Sequence, residues 1–335
     1  MNLESDSDEE DEVLQTTGID TVKNVEAEVE KSGDYNPGTA YKPTPKMKAA
    51  EDSIQNNEWN IKAWETLFAE ARSLPAGRMP EARKIYERFL KKFPTSGRYW
   101  KFYAEHEASF NNVQEAQEVI QRGLAESVSM DLWQYYIDFV IGQQGQDWDV
   151  ITEENTAEKR DQSISEIQNA YEHCLDQILY APDSTNIWRN YIEFLKNKLP
   201  KENHYEMGQR VTKIRSAYRR ALSNPVFNIE SIWQQYEIFE RGLVDSSNSI
   251  LAERLLKETQ PIALSNRTLA RELQPLMNNL IQHNLLAIPP QFDYNNVYKK
   301  QLQLWKRIIK WEAEQTSASI ESVKRKYIYH IIHIG

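Results

Sequence analysis

The sequence of 335 residues has one cysteine, few glycines and no long apolar run. A single thiol, Cys174, cannot close an intrachain disulfide, so a disulfide-stapled secreted domain is excluded. No stretch approaches the ~20 consecutive apolar residues that a membrane-spanning helix needs, so no membrane partner is expected. The first residues are acidic, which argues against a secretory signal or an Arg-rich transit peptide. These absences together favour a reducing compartment, the cytosol or the nucleus.

Basic residues are scarce at one end of the chain only. Residues 1–40 contain 12 acidic and two basic side chains, and they account for the whole formal net charge of −10. Residues 41–335 carry 38 charges of each sign. A balanced body argues against a protein that binds nucleic acid electrostatically over its whole surface, although a local basic patch remains open.

Residues 1–58 are predicted to be a disordered acidic tail and a proline-containing linker. The segment has few large apolar side chains, so it cannot bury enough apolar surface to offset the chain entropy that folding removes. Ser5 and Ser7 stand directly before acidic residues in SDSDEEDE, a setting that acid-directed kinases favour. The alternatives are therefore a solvated tail or a phosphorylated one.

A helical pattern led by tryptophan recurs six times along the rest of the chain. In each copy a bulky residue follows the tryptophan after three positions and another aromatic or acidic residue follows further on. These spacings place the side chains on one face of a helix. The residues that define the copies are Trp64; Trp100 with Tyr103; Trp133 with Tyr136; Trp188 with Tyr191; Trp233 with Tyr236; and Trp305 with Trp311. We expect all of them to form packing contacts between repeats.

A second helical pattern follows each of the first four copies. It combines a small residue, where two helices must approach closely, with an apolar stripe that includes Tyr86, Tyr171 or Tyr218. Ser96, Ser129 and Asn228 are predicted N-caps, and Asn112 with Glu115 fits a capping box.

The unit is therefore a helix–turn–helix pair, repeated. Successive tryptophans lie 36, 33, 55, 45 and 72 residues apart. A polar insertion at 142–163 and a degenerate helix between Leu264 and Leu286 would account for the longer steps. Because such pairs bury their apolar stripes only against neighbouring pairs, the sequence predicts an all-α superhelical solenoid.

No motif for catalysis or cofactor binding is present, since the phosphate-loop, nucleophile-elbow and zinc-protease patterns are all missing. No catalytic, cofactor or metal residue is therefore assigned. His330 and His333 lack further ligands, and Cys174 is interpreted as a core thiol. Base stacking by the tryptophans and tyrosines is the alternative to core packing. Short basic pairs could be solvated faces or RNA contacts: Lys91/Lys92, Arg219/Arg220, Lys299/Lys300 and Lys324–Lys326.

The alternation of the two helix patterns resembles the HAT (half-a-TPR) repeat. Several strings also resemble the suppressor-of-forked family in order and spacing, over about residues 59–330. One of them is FPTSGRYWKFYAEHE (93–107), and the two most specific lie within SNPVFNIESIWQQYEIFE (223–240) and QLWKRIIKWE (303–312). That family is the large scaffold subunit of cleavage stimulation factor.

The resemblance implies an N-terminal HAT array at 59–265 and the truncated start of a second array at 266–335. The chain would then be the N-terminal portion of a non-enzymatic nuclear scaffold in pre-mRNA 3′-end cleavage and polyadenylation, without cofactors. Its implied partners are other subunits of that machinery. The family's homodimer interface would be mostly missing, and contact with RNA would be mostly indirect.

Three other functions remain open at this point. A HAT-repeat scaffold of the spliceosome would share the repeats but assemble with other partners. A subunit with the helical-repeat fold of the prenyltransferase α-subunits would belong to an enzyme. Direct RNA binding would use the basic pairs.

Overall fold

The computed structural model describes residues 41–145, 157–179, 181–199, 203–243, 249–279 and 296–314. These ranges contain 12 α-helices, one 3-10 turn and no strand, which confirms the all-α prediction. Several predicted features lie outside the described residues: Ser5, Ser7, His330, His333 and Lys324–Lys326.

The helices follow one another with short connections. In chain order they are α1 (Pro45–Asn56), α2 (Ile61–Arg72), α3 (Met79–Lys92), α4 (Gly97–Ser109), α5 (Val113–Glu126), α6 (Met130–Gln143), α7 (Ala157–Gln177), α8 (Thr185–Lys198), α9 (His204–Leu222), α10 (Ile229–Gly242), α11 (Ser249–Asn278) and α12 (Asn296–Glu314). The chain divides into two compact units, Met1–Ile85 and Tyr86–Gly335. The predicted division at residue 265 falls inside the continuous helix α11, and the assignment of 266–335 to a second array stays a prediction.

The first unit corrects the predicted extent of the disordered tail. Helix α1 lies within the segment 1–58 and packs against α2 through its buried residues Met47, Ala50 and Ile54. Thr44 caps α1: its hydroxyl oxygen accepts from the Met47 N–H at 3.1 Å and its hydroxyl donates to Glu70 at 2.8 Å. Pro45 suits the first helical position, where no backbone donor is needed, so this proline starts a helix and does not mark a linker.

The second unit is a stack of helix pairs. The pairs α4/α5, α6/α7, α8/α9 and α10/α11 each pack internally, and α4 also contacts α6 while α8 contacts α10. A single core cluster extends from Trp133 in α6 to Ala263 in α11. Each pair thus buries its apolar stripe against its neighbours, which is the packing expected of a repeat array.

Two predicted interruptions are shorter or differently placed than expected. Helix α6 continues to Gln143 and α7 begins at Ala157, so both ends of the predicted insertion 142–163 are helical. The degenerate helix between Leu264 and Leu286 is instead part of α11, which begins at Ser249 and contains Pro261 and Pro275. A buried stripe offsets the hydrogen bonds that these prolines remove. It consists of Ala252, Thr259, Ala263, Asn266, Ala270 and Leu273.

The predicted N-caps stand in the expected positions, but their side chains do not cap. Ser96, Asn112, Ser129 and Asn228 directly precede α4, α5, α6 and α10, and none makes a side-chain cap hydrogen bond. The prediction of a capping box at Asn112 is therefore wrong. The Asn112 amide instead donates to the buried carboxylate of Glu107 at 2.8 Å, because that buried acceptor needs a partner.

Candidate protein-interaction surface

Most of the signature tryptophans are buried, each within its own unit. Trp64, Trp100, Trp133 and Trp188 are at most 4% exposed, whereas Trp233, Trp305 and Trp311 are partly buried. The indole N–H groups of Trp64 and Trp100 donate to the carbonyl oxygens of Glu58 and Pro94 at 2.8 and 2.7 Å. Each of these two rings therefore fixes the turn that precedes its helix.

Tyrosines from successive repeats meet in pairs. The second-helix tyrosine of one repeat contacts the first-helix tyrosine of the next, with ring centroids 4.7–5.3 Å apart: Tyr86 with Tyr103, Tyr171 with Tyr191, and Tyr218 with Tyr236. All six are at most 4% exposed. Burial raises the pKa of Tyr218 and of Tyr236 to about 12, so these hydroxyl groups stay neutral.

One interface departs from this arrangement. In α5 the position that holds tyrosine in α3, α7 and α9 is occupied by Ile120, so Tyr136 of the next repeat has no tyrosine partner from α5. Tyr136 is only half-buried, and it instead meets Trp133 at 6.0 Å and His173 at 6.5 Å, both edge to face. The sequence expectation placed Tyr136 in the core like the others.

A groove lies at this same interface, among α5, α6 and α7. Its volume is about 740 Å³. The floor is apolar and includes Leu124, Tyr136, Phe139 and Val140. Five glutamines of the described part of the chain line it: Gln117, Gln121, Gln143, Gln144 and Gln177. Gln144 donates to the carboxylate of Glu166 at 2.7 Å, so the one acidic side chain among the described lining residues is held in place.

An arginine of the second helix covers the tryptophan in two repeats, and sequence analysis missed this contact. Arg122 lies 5.1 Å from the Trp100 ring and donates two hydrogen bonds, at 2.6 and 2.7 Å, to Glu87 on α3. Hydrogen bonding by Arg122 holds the pKa of Glu87 below its usual range. The contact could have been recognised from the positions of its two residues in the repeat. Glu87 directly follows the signature tyrosine of α3, and Arg122 stands two residues after Ile120, which occupies the tyrosine position of α5.

The same arrangement returns two repeats later. Arg220 lies 5.4 Å from the Trp188 ring and donates to Glu172 and, at 2.9 Å, to Asp176, both on α7. Arg220 belonged to one of the basic pairs considered for RNA contact, and two carboxylates already compensate its charge. Arg215 pairs with the fully buried Glu240 through hydrogen bonds of 2.7 and 2.8 Å.

Cys174 is fully buried in the core cluster that extends from α6 to α11. Burial raises the pKa of its thiol to about 12, so the nucleophilic thiolate is strongly disfavoured. Across the described ranges, no three His, Cys, Asp or Glu side chains come together in a way that could hold a metal ion. None of the helices in that part of the chain is long and apolar enough to cross a membrane.

Fold and packing define the class of protein: a helical-repeat solenoid whose aromatic signature residues join successive helix pairs. A model of the family described as suppressor of forked protein matches residues 45–332. The chain belongs to this family. The match begins with α1 and not at residue 59, which agrees with the corrected start of the folded part.

Relatives and a solved structure agree with this family. The chain is 30% identical over 275 residues to the mRNA 3′-end-processing protein rna14 of Aspergillus fumigatus, covering 81% of this chain and 25% of the relative. It is 33% identical over 234 residues to cleavage stimulation factor subunit 77 of Arabidopsis thaliana, covering 69% and 29%. The chain thus spans between a quarter and a third of these curated relatives.

The crystal structure of CstF-77 shares the fold, with a TM-score of 0.51 and 20% identity over 72% of this chain and 43% of that one. It supports the HAT-repeat solenoid as the architecture. These comparisons give no support to the spliceosomal alternative.

Proposed function

We propose that the chain is a non-enzymatic scaffold portion of the machinery for pre-mRNA 3′-end cleavage and polyadenylation, and that it acts in the nucleus. Its partners are other processing factors of that machinery. The functions for which its relatives are named, mRNA 3′-end processing and a subunit of cleavage stimulation factor, support this proposal.

One structural observation carries the mechanism. Most of the repeat-signature side chains pack between repeats, as the three tyrosine pairs and the buried tryptophans illustrate, whereas Tyr136 and Trp233 are only partly buried. Specific function must then lie in the surfaces that the array holds at fixed separations. A solenoid of this kind offers extended surfaces for protein partners, and it positions them by geometry alone.

Contact with RNA is proposed to pass mainly through partners. Arg220 already pairs with two carboxylates, and the helices α5–α7 carry ten acidic side chains against three basic ones. Such a surface repels phosphate. We also propose that the residues that the structure describes do not form the homodimer interface of the family.

Affinity purification followed by mass spectrometry tests this proposal. The chain carries a tag and is expressed in cells, and the co-purifying proteins are compared with those that a tagged unrelated helical-repeat protein captures. We expect enrichment of 3′-end-processing factors. Enrichment of spliceosomal proteins without processing factors would contradict the proposal, and so would prenyl transfer by the purified material.

A further inference from the structure

We propose that the groove among α5, α6 and α7 is a docking site for a peptide segment of a protein partner, one that places a bulky apolar residue between lysines or arginines. This inference rests on the proposed function as a protein scaffold and names the chemistry of one partner segment. It concerns the interface between α5 and α6, where Ile120 stands at the position of a signature tyrosine.

The shape of the groove suits an apolar anchor residue. Its volume of about 740 Å³ is within the range of sites that enclose a ligand, and its floor is formed by half-buried apolar side chains. Tyr136 is held in the floor by edge-to-face contacts with Trp133 and His173, which contact each other at 5.5 Å. Because these contacts already restrict the Tyr136 ring, the ring loses little conformational entropy when an anchor side chain packs on it.

The glutamines suit the backbone of an extended peptide. A glutamine amide offers both donors and acceptors, as a peptide bond does, so exposed glutamines can bond to peptide groups in either direction. Gln117, Gln121, Gln143 and Gln177 are exposed around the apolar floor. Gln144 is already engaged, because it donates to Glu166 and accepts from the hydroxyl of Ser163 at 2.7 Å.

Charge selects a basic peptide over an acidic one. The three helices that form the groove carry ten acidic residues and three basic ones. Arg122 pairs with Glu87, and Arg220 pairs with Glu172 and Asp176, so the remaining charged side chains are still mostly acidic. The only formally charged residue of the described lining is Glu166. Complementary charge raises the association rate and excludes partners of the wrong sign.

The same charges disfavour a nucleic acid. Binding of single strands requires lysines or arginines along the backbone path, in addition to aromatic stacking surfaces. Among the described residues, neither lysine nor arginine lines the groove. The apolar floor offers aromatic rings, but the described lining offers no lysine or arginine for phosphate groups, so the groove suits a peptide and not RNA.

Selection from a random dodecapeptide library displayed on phage tests the proposal with the purified full chain. We expect the enriched sequences to contain a bulky apolar residue flanked by lysine or arginine. A synthetic peptide of the most enriched sequence, labelled with fluorescein, then gives a dissociation constant by fluorescence anisotropy. Replacing its apolar residue by alanine is expected to weaken binding at least tenfold.

Two double variants locate the binding site. Gln121→Lys with Gln143→Lys adds two positive charges to the exposed rim of the groove. Gln260→Lys with Gln274→Lys adds the same charges at exposed positions of α11 and is the matched control. Glutamine and lysine have similar helix propensities, so both variants should keep the helical circular dichroism of the parent. We expect the groove variant to bind the peptide about tenfold more weakly, and the control variant to stay within about twofold.

Three results would overturn the proposal. The first is a library that enriches no sequence, or mainly acidic ones. The second is equal binding of the peptide by the two double variants. The third is displacement of the peptide by a 12-nucleotide single-stranded oligouridylate, which would assign the groove to nucleic acid.

Failure here is distinguishable from failure of the proposed function. If the groove does not bind peptide, the groove variant should still co-purify with 3′-end-processing factors when tested in cells. If the chain is not part of that machinery, peptide binding in the purified system would be unaffected.

Discussion

At the scale of single residues, Trp188 and Trp233 occupy the same position of successive repeats and differ in burial. Trp188 has no exposed surface, whereas Trp233 packs against the core from its edge. Removing a fully buried indole loses its transfer free energy and leaves a cavity, and the second cost is smaller where neighbours or water can fill the space.

We therefore predict that Trp188→Ala lowers the free energy of unfolding by about 3–5 kcal/mol, and Trp233→Ala by about 1–2 kcal/mol. Urea denaturation followed by circular dichroism measures both, with the midpoints as the primary readout because repeat arrays can lose two-state behaviour. Equal losses would show that burial does not decide the role of this position.

Cys174 provides a second test at this scale. Its pKa of about 12 and its full burial predict that the native thiol reacts with Ellman's reagent at pH 7 at least about 100-fold more slowly than the unfolded thiol. The raised pKa of the Cys174 thiol also makes the free energy of unfolding depend on pH. Because the folded pKa is raised, the contribution to stability is complete at neutral pH and is lost as the pH rises above the unfolded value.

The measurement is the rate of thiol release with and without denaturant. The chain has one cysteine, so the signal is unambiguous and the denatured sample supplies the full amplitude. Rapid native reaction would mean that α7 opens, or that the thiol is not in the core.

At the scale of helices, two glycines allow the effect of close helix packing to be distinguished from the effect of helix propensity. A Cβ added at Gly123 in α5 would lie 2.7 Å from Cγ of Trp100 and 2.9 Å from a methyl carbon of Leu132. A Cβ added at Gly142 in α6 would have no atom within 4 Å. Gly123 thus allows a close approach of helices, whereas Gly142 only weakens its own helix.

We predict that Gly123→Ala destabilises the chain by about 1–3 kcal/mol, because the ring and the methyl group must move. Gly142→Ala should stabilise it by about 0.5–1 kcal/mol, because alanine is the better helix former. Thermal unfolding of the two variants beside the parent measures the opposite shifts. A stabilising Gly123→Ala would contradict the close packing of α5 on Trp100.

The arginine that covers a tryptophan is also a contact between helices. Arg220 joins α9 to Glu172 and Asp176 of α7 and lies over Trp188, whereas the neighbouring Arg219 is exposed. Replacing Arg220 by methionine keeps the unbranched apolar stem of the side chain but removes the guanidinium group with its charge and hydrogen bonds.

We predict a loss of about 1–2 kcal/mol for Arg220→Met and within about 0.5 kcal/mol for Arg219→Met. The Arg220 pair is partly exposed, so the loss should shrink in 1 M salt, where charges on the surface are screened. Urea denaturation measures both losses. If the two substitutions lower the free energy of unfolding equally, the loss comes from removing a positive charge and not from the specific contact of Arg220.

At the scale of the whole molecule, the position where the folded part begins can be tested by truncation. Helix α1 covers α2, whose buried face includes Trp64, Leu67 and Phe68. Loss of α1 would expose these side chains, and an apolar patch of that kind promotes association.

We therefore predict that a chain starting at residue 41 keeps the melting temperature of the parent within about 2 °C, because the free energy of unfolding changes little. A chain starting at residue 59 should melt lower by several degrees and elute partly as aggregates on size exclusion. Identical behaviour of the two truncated chains would restore the original boundary at residue 58.

Charge is also segregated along the array, which the neutral balance of residues 41–335 conceals. Helices α5–α7 carry ten acidic and three basic side chains, whereas α9 alone carries five basic side chains and one acidic. The average over the body excluded a general electrostatic binder, but it could not show that one interface is acidic while another part of the array is basic.

Much of the fold could be predicted because the repeat signals are local. Tryptophan, tyrosine and leucine at helical spacing specify an amphipathic helix from neighbouring residues alone, so most helices occur where their patterns stand. Helix α1 was missed because Pro45, with Pro43 just before it, resembles part of a linker. Helix α11 was misplaced because Pro261 resembles a helix boundary, and only the buried stripe shows that the helix continues through it.

The sequence by itself determined the helical-repeat class and its family resemblance, because both depend on side chains at fixed spacing along one chain. Only the tertiary structure decided which partners meet. Glu87 and Arg122 are 35 residues apart, and the groove at Ile120 is lined by side chains from three different helices. Contacts of this kind depend on distances across the array, and the pattern within a single helix does not contain them.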